Sequence, residues 1–182
     1  MKFHGELTGQ IGDRLALDFP NYDVYHDHGK AAANIGKIVS WFGKDLHKDT
    51  ELSQLDIAIV ERDAEKRVRV LIEIEETNDK PKTVLGDVFG ALFGEHISFR
   101  GASLNVGDWT TLIVMVKGSD NHKERIEFLN RTVQAYRSGL PKMDGSIGKI
   151  LIAAFIDESD LEPKLREQIE LALGAHSRAG LS

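Results

Sequence analysis

The 182-residue chain contains no cysteine. That removes disulfides, thiolate metal sites and cysteine nucleophiles from the functions it can carry. Proline is scarce: Pro20, Pro81, Pro141 and Pro163 are the whole set, and each falls where an element is expected to begin or end. No stretch approaches the roughly 18 consecutive apolar residues of a membrane span. The leading MKFHGELTGQIGDRL lacks the apolar core and small-residue cleavage site of a secretory signal. A cytoplasmic protein with no membrane partner is therefore expected. Several chemistries also lack their signatures. The chain has no G-x-x-x-x-G-K-[ST] phosphate loop, no G-x-S-x-G elbow and no H-E-x-x-H helix, and GQIG and FGALFG do not form a dinucleotide fingerprint. A net charge of −6 argues against a protein that coats nucleic acid. It leaves room for one that grips DNA locally, since distribution matters more than the total.

What is present suits one domain, residues 1–182, with a sizeable core: 41% hydrophobic and 29% charged residues. Residues 5–19 place Leu7, Ile11 and Leu15 at helical spacing beside a polar stripe of Glu6, Gln10 and Asp13. After Pro20, YDVYHDH reads as a short strand, and AAANIGKIVSWFGKDL as a short helix or an ordered excursion. LDIAIVE (55–61) and RVRVLIEIEE (67–76) read as a hairpin across RDAEK. Residues 80–97 form a helix entered through Pro81, with Val84, Val88 and Leu92 on one stripe. TTLIVMVKG (110–118) and IGKILIAAFI (147–156) are apolar enough for strands covered on both faces. Between them lies an amphipathic helix with Ile126, Leu129, Val133 and Tyr136 inward, and LEPKLREQIELALGAH closes the chain as another helix. This alternation predicts an α/β fold, a mixed central β-sheet flanked by helices on both faces.

Within that pattern VRVLIEIEETN is anomalous. Val68, Val70, Ile72 and Ile74 alternate with other residues as in a buried strand, yet Glu73 and Glu75 share one face of it. Two carboxylates about 7 Å apart repel, and burying either is costly without a partner. If the turn centres between Ala64 and Glu65, Arg62 pairs with Arg67 and Asp56 falls opposite Glu73, with Cβ atoms about 5 Å apart. A one-residue slip would send Asp56 to the other face. Three carboxylates on one face suit a hard divalent cation with oxygen ligands. A solvated polar face, paired to Arg69 or Arg62, is the plainer account of the same residues.

Asp56 followed, after a hairpin, by Glu73-Ile74-Glu75 resembles the PD-(D/E)XK nuclease superfamily, the restriction endonuclease-like fold. The resemblance implies an αβββαβ core over residues 5–118, with one insertion, and a C-terminal αβα extension. It implies a magnesium or manganese ion held by Asp56 and Glu73, the carbonyl of Ile74 nearby, and Glu6 or Asp13 of the first helix completing the site. DNA, duplex or branched, would be the substrate, with a homodimer or partner protein supplying further recognition. Two positions depart from the pattern. Leu55 stands where the motif has proline, and Glu75 where it has the lysine that orients the attacking water. Glu75 would then take that task, with Lys80 or Lys82 as a relocated cation at the phosphate. The same departure fits a catalytically inactive member that serves as a nucleic-acid or protein binding module.

Other residues admit ordinary readings. His26 and His28 have the spacing of one strand face and read as surface histidines. Trp41, Phe42, Phe89 and Phe93 read as core, and His96 as a residue near a helix end. Lys117 to Lys149 holds Lys117, Lys123, Arg125, Arg131, Arg137, Lys142 and Lys149 against Asp120, Glu124, Glu127 and Asp144. That excess could follow a phosphate backbone or simply face solvent. The series Lys30, Lys37, Lys44 and Lys48 is similar in kind.

Overall fold

A computed structural model describes residues 5–28, 34–43, 46–76, 80–118, 123–139 and 147–177. The elements run α1 (Glu6–Asp18), β1 (Tyr22–His26), β2 (Ile38–Trp41), β3 (Glu51–Leu55), β4 (Ile57–Glu61), β5 (Val68–Glu75), α2 (Pro81–Leu92), β6 (His96–Phe99), β7 (Ala102–Leu104), β8 (Thr111–Lys117), α3 (Lys123–Ser138), β9 (Lys149–Phe155) and α4 (Glu158–Ser177). They build two sheets, one of five strands in the order β1-β4-β5-β8-β9 and one of four in the order β3-β2-β6-β7. In the larger sheet β1, β4 and β5 pair antiparallel, while β5, β8 and β9 run parallel. The fold class is thus α/β with a mixed sheet.

Each face of that sheet has its own apolar layer. Leu7, Ile11 and Leu15 of α1 and Leu161, Leu165 and Ile169 of α4 pack on Ile57, Ile59, Val70, Ile72 and Ile74. On the reverse face Val84 and Val88 of α2, Ile126 and Leu129 of α3, and Ile38 and Ile97 of the smaller sheet meet Ala58, Leu71 and Val114. Coverage from both sides explains why β5 and β8 read as nearly continuous apolar runs. The polar stripe of α1, Glu6, Gln10 and Asp13, is exposed.

The hairpin differs from the expected register at its tip and agrees at its base. Glu61, not Arg62, lies across from Arg67, its N–H donating to the Arg67 carbonyl at 2.9 Å. The pairing passes from Val60↔Val68 to Ile59↔Val70, so Arg69 is an extra residue in β5. This bulge turns Val68 to the face opposite Val70 and Ile72. Arg69 ion-pairs with Glu61 at 2.5 Å. Beyond the bulge the pairs are Ile59↔Val70, Ala58↔Leu71 and Ile57↔Ile72, the phase the symmetric turn would have given.

Several expectations are corrected. The described part of residues 31–46 forms β2, since Ile38-Val39-Ser40-Trp41 finds β3 and β6 on its two edges. β3 has no readable apolar pattern, with Leu52 and Gln54 both exposed. The helix expected over 80–97 ends at Leu92, and His96 lies in β6. Phe42, Phe93 and Tyr136, expected inside, are 59%, 49% and 66% exposed. Pro163 lies inside α4 and not at its start. Asp157 sets the start earlier, its Oδ1 accepting the N–H groups of Ser159 and Asp160 at 2.9 and 3.1 Å. Pro141 and residues 31–33, 44–45 lie outside the described residues. Asp157→Ala is expected to lower the thermal midpoint, followed by circular dichroism, by roughly 2–4 °C. An unchanged midpoint would show that the cap contributes nothing.

Candidate functional site

Asp56 occupies the bend between β3 and β4, where the chain leaves the smaller sheet for the larger one. Its N–H donates to the carbonyl of Ile72 at 3.1 Å. Its Oδ2 accepts the N–H of Ile74 at 2.7 Å. A carboxylate thus takes over a bond that a regular ladder would give to backbone. Carrying the register one step beyond Ile57↔Ile72 sets Asp56 against Glu73. Glu73 and Glu75 lie beside Val114 and Val116 of β8, on the face covered by α2.

Two further acids join them. Asp27 follows β1, and its N–H donates to the Asp56 carbonyl at 3.1 Å. Asp87 stands on the inward side of α2, one residue before the buried Val88. Burial pushes the Asp56 carboxyl up to about 7; the Ile74 N–H opposes this, and the charges of Asp27, Glu76 and Asp87 add to it. Glu73 is raised well above the usual carboxylate range by burial, then by the charges of Asp56, Asp87 and Asp27. Burial, then Glu75, lifts Asp87 to about 6. Oε2 of Glu73 and Oδ2 of Asp87 are buried with no hydrogen-bond partner. Among the described residues no basic side chain pairs with Asp56, Glu73 or Asp87.

The other expected residues are placed as follows. α1 packs on the reverse face of the sheet, so Glu6 and Asp13 do not share the face of Asp56 and Glu73. Asp13 instead lies 3.5 Å from Nε2 of His26. His26 is buried at 1% exposure, not a surface residue, with its Nδ1 against the carbonyl of His28. Lys80 and Lys82 stand at the exposed start of α2. In the basic segment Arg125, Arg131 and Lys149 are exposed, while Arg137 turns inward to the Ile147 carbonyl. Lys30, Lys44, Asp120, Lys142 and Asp144 lie outside the described residues.

Sequence reasoning missed Asp27 and Asp87. The signal for Asp87 was legible: a carboxylate three residues after Val84 and four before Ala91, inside an apolar stripe. Asp27 had no such mark, because only the bridge to Asp56 brings it near. Among the described residues no group of three or more His, Asp or Glu side chains is gathered in metal-holding geometry. The chemistry of the cluster nonetheless fits a hard cation, because its donors are carboxylate oxygens and two of them are buried without partners. Comparison with known protein families, curated proteins and solved structures finds no match for this chain.

The cluster makes stability depend on pH. Carboxyls whose folded values exceed their unfolded ones favour folding while protonated, and that contribution disappears as pH rises through the folded values. For Asp56 and Asp87 the window runs from about 4 to about 7. Protein stripped of divalent ions should therefore melt on the order of 5 °C lower at pH 8 than at pH 5, and Asp56→Asn should remove much of the difference. Equal midpoints at both pH values would contradict the burial assigned to these groups.

Proposed function

We propose that the chain is a divalent-metal-dependent phosphodiesterase acting on DNA, with Asp56 and Glu73 as the principal metal ligands. The observation that carries this reading is the buried Glu73 Oε2, which has no hydrogen-bond partner and lies among the charges of Asp56, Asp87 and Asp27. A carboxylate cluster of this kind is strongly unfavourable unless protons or a metal ion offset it. The strand order supports a restriction endonuclease-like reading. With β2–β3 and β6–β7 set aside as insertions, α1, β1, β4, β5, α2 and β8 follow the αβββαβ sequence.

Asp56 and Glu73 would hold Mg²⁺ or Mn²⁺, with Asp87 entering the shell in preference to Glu6 or Asp13. When bound, such an ion polarises a phosphoryl oxygen and lowers the pKa of its water. Glu75, at the C-terminal end of β5, would accept a proton from the attacking water. Lys80 and Lys82 stand on the exposed first turn of α2, where a phosphate could approach them.

A second reading, a catalytically silent binding module of the same fold, is favoured by one observation. Glu75 occupies the place where a cation would be expected, and no described basic side chain replaces it at Asp56 or Glu73. Titration calorimetry with Mn²⁺ tests the metal site: binding to the native protein should be abolished or weakened at least about tenfold in Asp56→Asn and Glu73→Gln. Equal binding by these variants removes the proposed ligands. Supercoiled plasmid incubated with Mg²⁺ or Mn²⁺ separates the readings. The phosphodiesterase should nick it, with both variants slowed at least about a hundredfold. Metal binding without nicking at any salt concentration favours the silent module.

A further inference from the structure

The tip of the β6–β7 hairpin carries an unusual residue. Phe99 pairs with Ala102, leaving Arg100-Gly101 as a two-residue turn. Both residues have positive φ, 51° and 79°. Such turns favour Asn or Gly at the first position, because a Cβ is disfavoured in the left-handed region. Arginine stands there instead, and the surroundings are arranged around it. Its Nε donates to the Ile35 carbonyl at 2.7 Å. Its guanidinium carbon lies 5.5 Å from the centroid of the Phe99 ring, which stacks on Tyr25 at 4.1 Å. Gly36 leaves the space: a Cβ there would come within 2.7 Å of Arg100 Cγ and 2.9 Å of its Nε. The side chain is exposed despite these supports.

Its position relates it to the carboxylates. Leu55, Ile38 and Phe99 are paired across β3, β2 and β6. The residues one step beyond are Asp56, Lys37 and Arg100, and the Arg100 N–H donates to the Lys37 carbonyl at 3.3 Å. Lys37 is exposed as well. Strands ~4.8 Å apart put Arg100 within roughly 10 Å of the Asp56 corner, a few nucleotide steps at ~3.4 Å rise. The Ile35 segment that holds Arg100 is joined to β1 through the His26↔Ile35 bridge, next to Asp27.

We infer that Arg100 and Lys37 form a phosphate-binding edge that seats the backbone of duplex DNA beside the carboxylate cluster. This rests on the phosphodiesterase reading and adds the residues that position the substrate. A guanidinium fixed by a carbonyl, an aromatic face and a cleared glycine is preorganised, so little side-chain entropy is lost on contact. Lys37 adds a second, flexible charge. Such contacts set register and affinity without reading sequence.

Fluorescence anisotropy of a labelled duplex, measured in Ca²⁺ and in Mg²⁺ over a salt series, tests this. Arg100→Asn suits the turn conformation, so the thermal midpoint should hold or rise while affinity falls about tenfold. The slope of log K against log salt should also fall by about 1. Lys37→Ala should weaken binding several-fold, and Gly36→Ala should weaken it with every charge retained. Affinity unchanged in all three overturns the inference and leaves the phosphodiesterase reading standing. A lower midpoint with native affinity in Arg100→Asn also overturns it, making the arginine a hairpin clamp only. Native protein that binds no duplex in either cation overturns both.

Discussion

Repulsion among carboxylates held in a poorly solvated place is the constraint around which this end of the molecule is organised. Asp56 and Glu73 face each other where β4 begins and β5 nears its end, and α2 covers them with a third acid, Asp87. These side chains are half-buried, with individual oxygens of Glu73 and Asp87 cut off from solvent, so their charges are screened less than at an open surface. One N–H, that of Ile74, supports the charged form of Asp56. The N–H of Asp56 likewise opposes the rise at Glu73. Two neutral donors do not balance several acids, and burial still leaves Asp56, Glu73 and Asp87 raised toward their protonated forms. The same imbalance is what a divalent cation would relieve.

The second sheet creates that environment. Asp56 is the point at which the chain passes from one sheet to the other, and its side chain fills the gap left in the ladder. β3 packs on both α2 and β5, on the face of the larger sheet that bears Glu73 and Glu75. Ser40, for example, hydrogen-bonds the Gly90 carbonyl of α2 at 2.8 Å, fixing the helix over the cluster. The same sheet brings its own basic edge, Lys37 and Arg100, level with Asp56. Acid cluster and basic edge are thus products of one packing arrangement.

Much of the scaffold was legible in local pattern. The stripe Leu7, Ile11 and Leu15, the apolar runs of β8 and β9, and the hairpin of β4 and β5 are all periodic over enough residues to outweigh their surroundings. β3 was not legible, because a strand with Leu52 and Gln54 exposed carries no apolar alternation. β6 was absorbed into the preceding helix because Gly94, which ends it, repeats the spacing of Gly86 and Gly90 inside it and so marks no break. The Asp56–Glu73 pairing was reached by counting from a symmetric turn, and the turn is not symmetric at that register. The bulge at Arg69 restores the phase, a compensation that no local pattern announces.

The sequence by itself determined the alternation of helices and strands, and it put Glu73 and Glu75 on one face of a buried strand. Covalent spacing and side-chain period decide those things, and both are properties of short segments. Only the tertiary structure decided which carboxylates meet. Asp27, Asp56 and Asp87 are far apart along the chain and converge through a bridge, a bend and a helix face, each fixed by packing elsewhere. It also decided that α1 covers the reverse side, carrying Glu6 and Asp13 to the other face. Contacts between distant segments depend on how whole layers stack, and that information is spread over the chain.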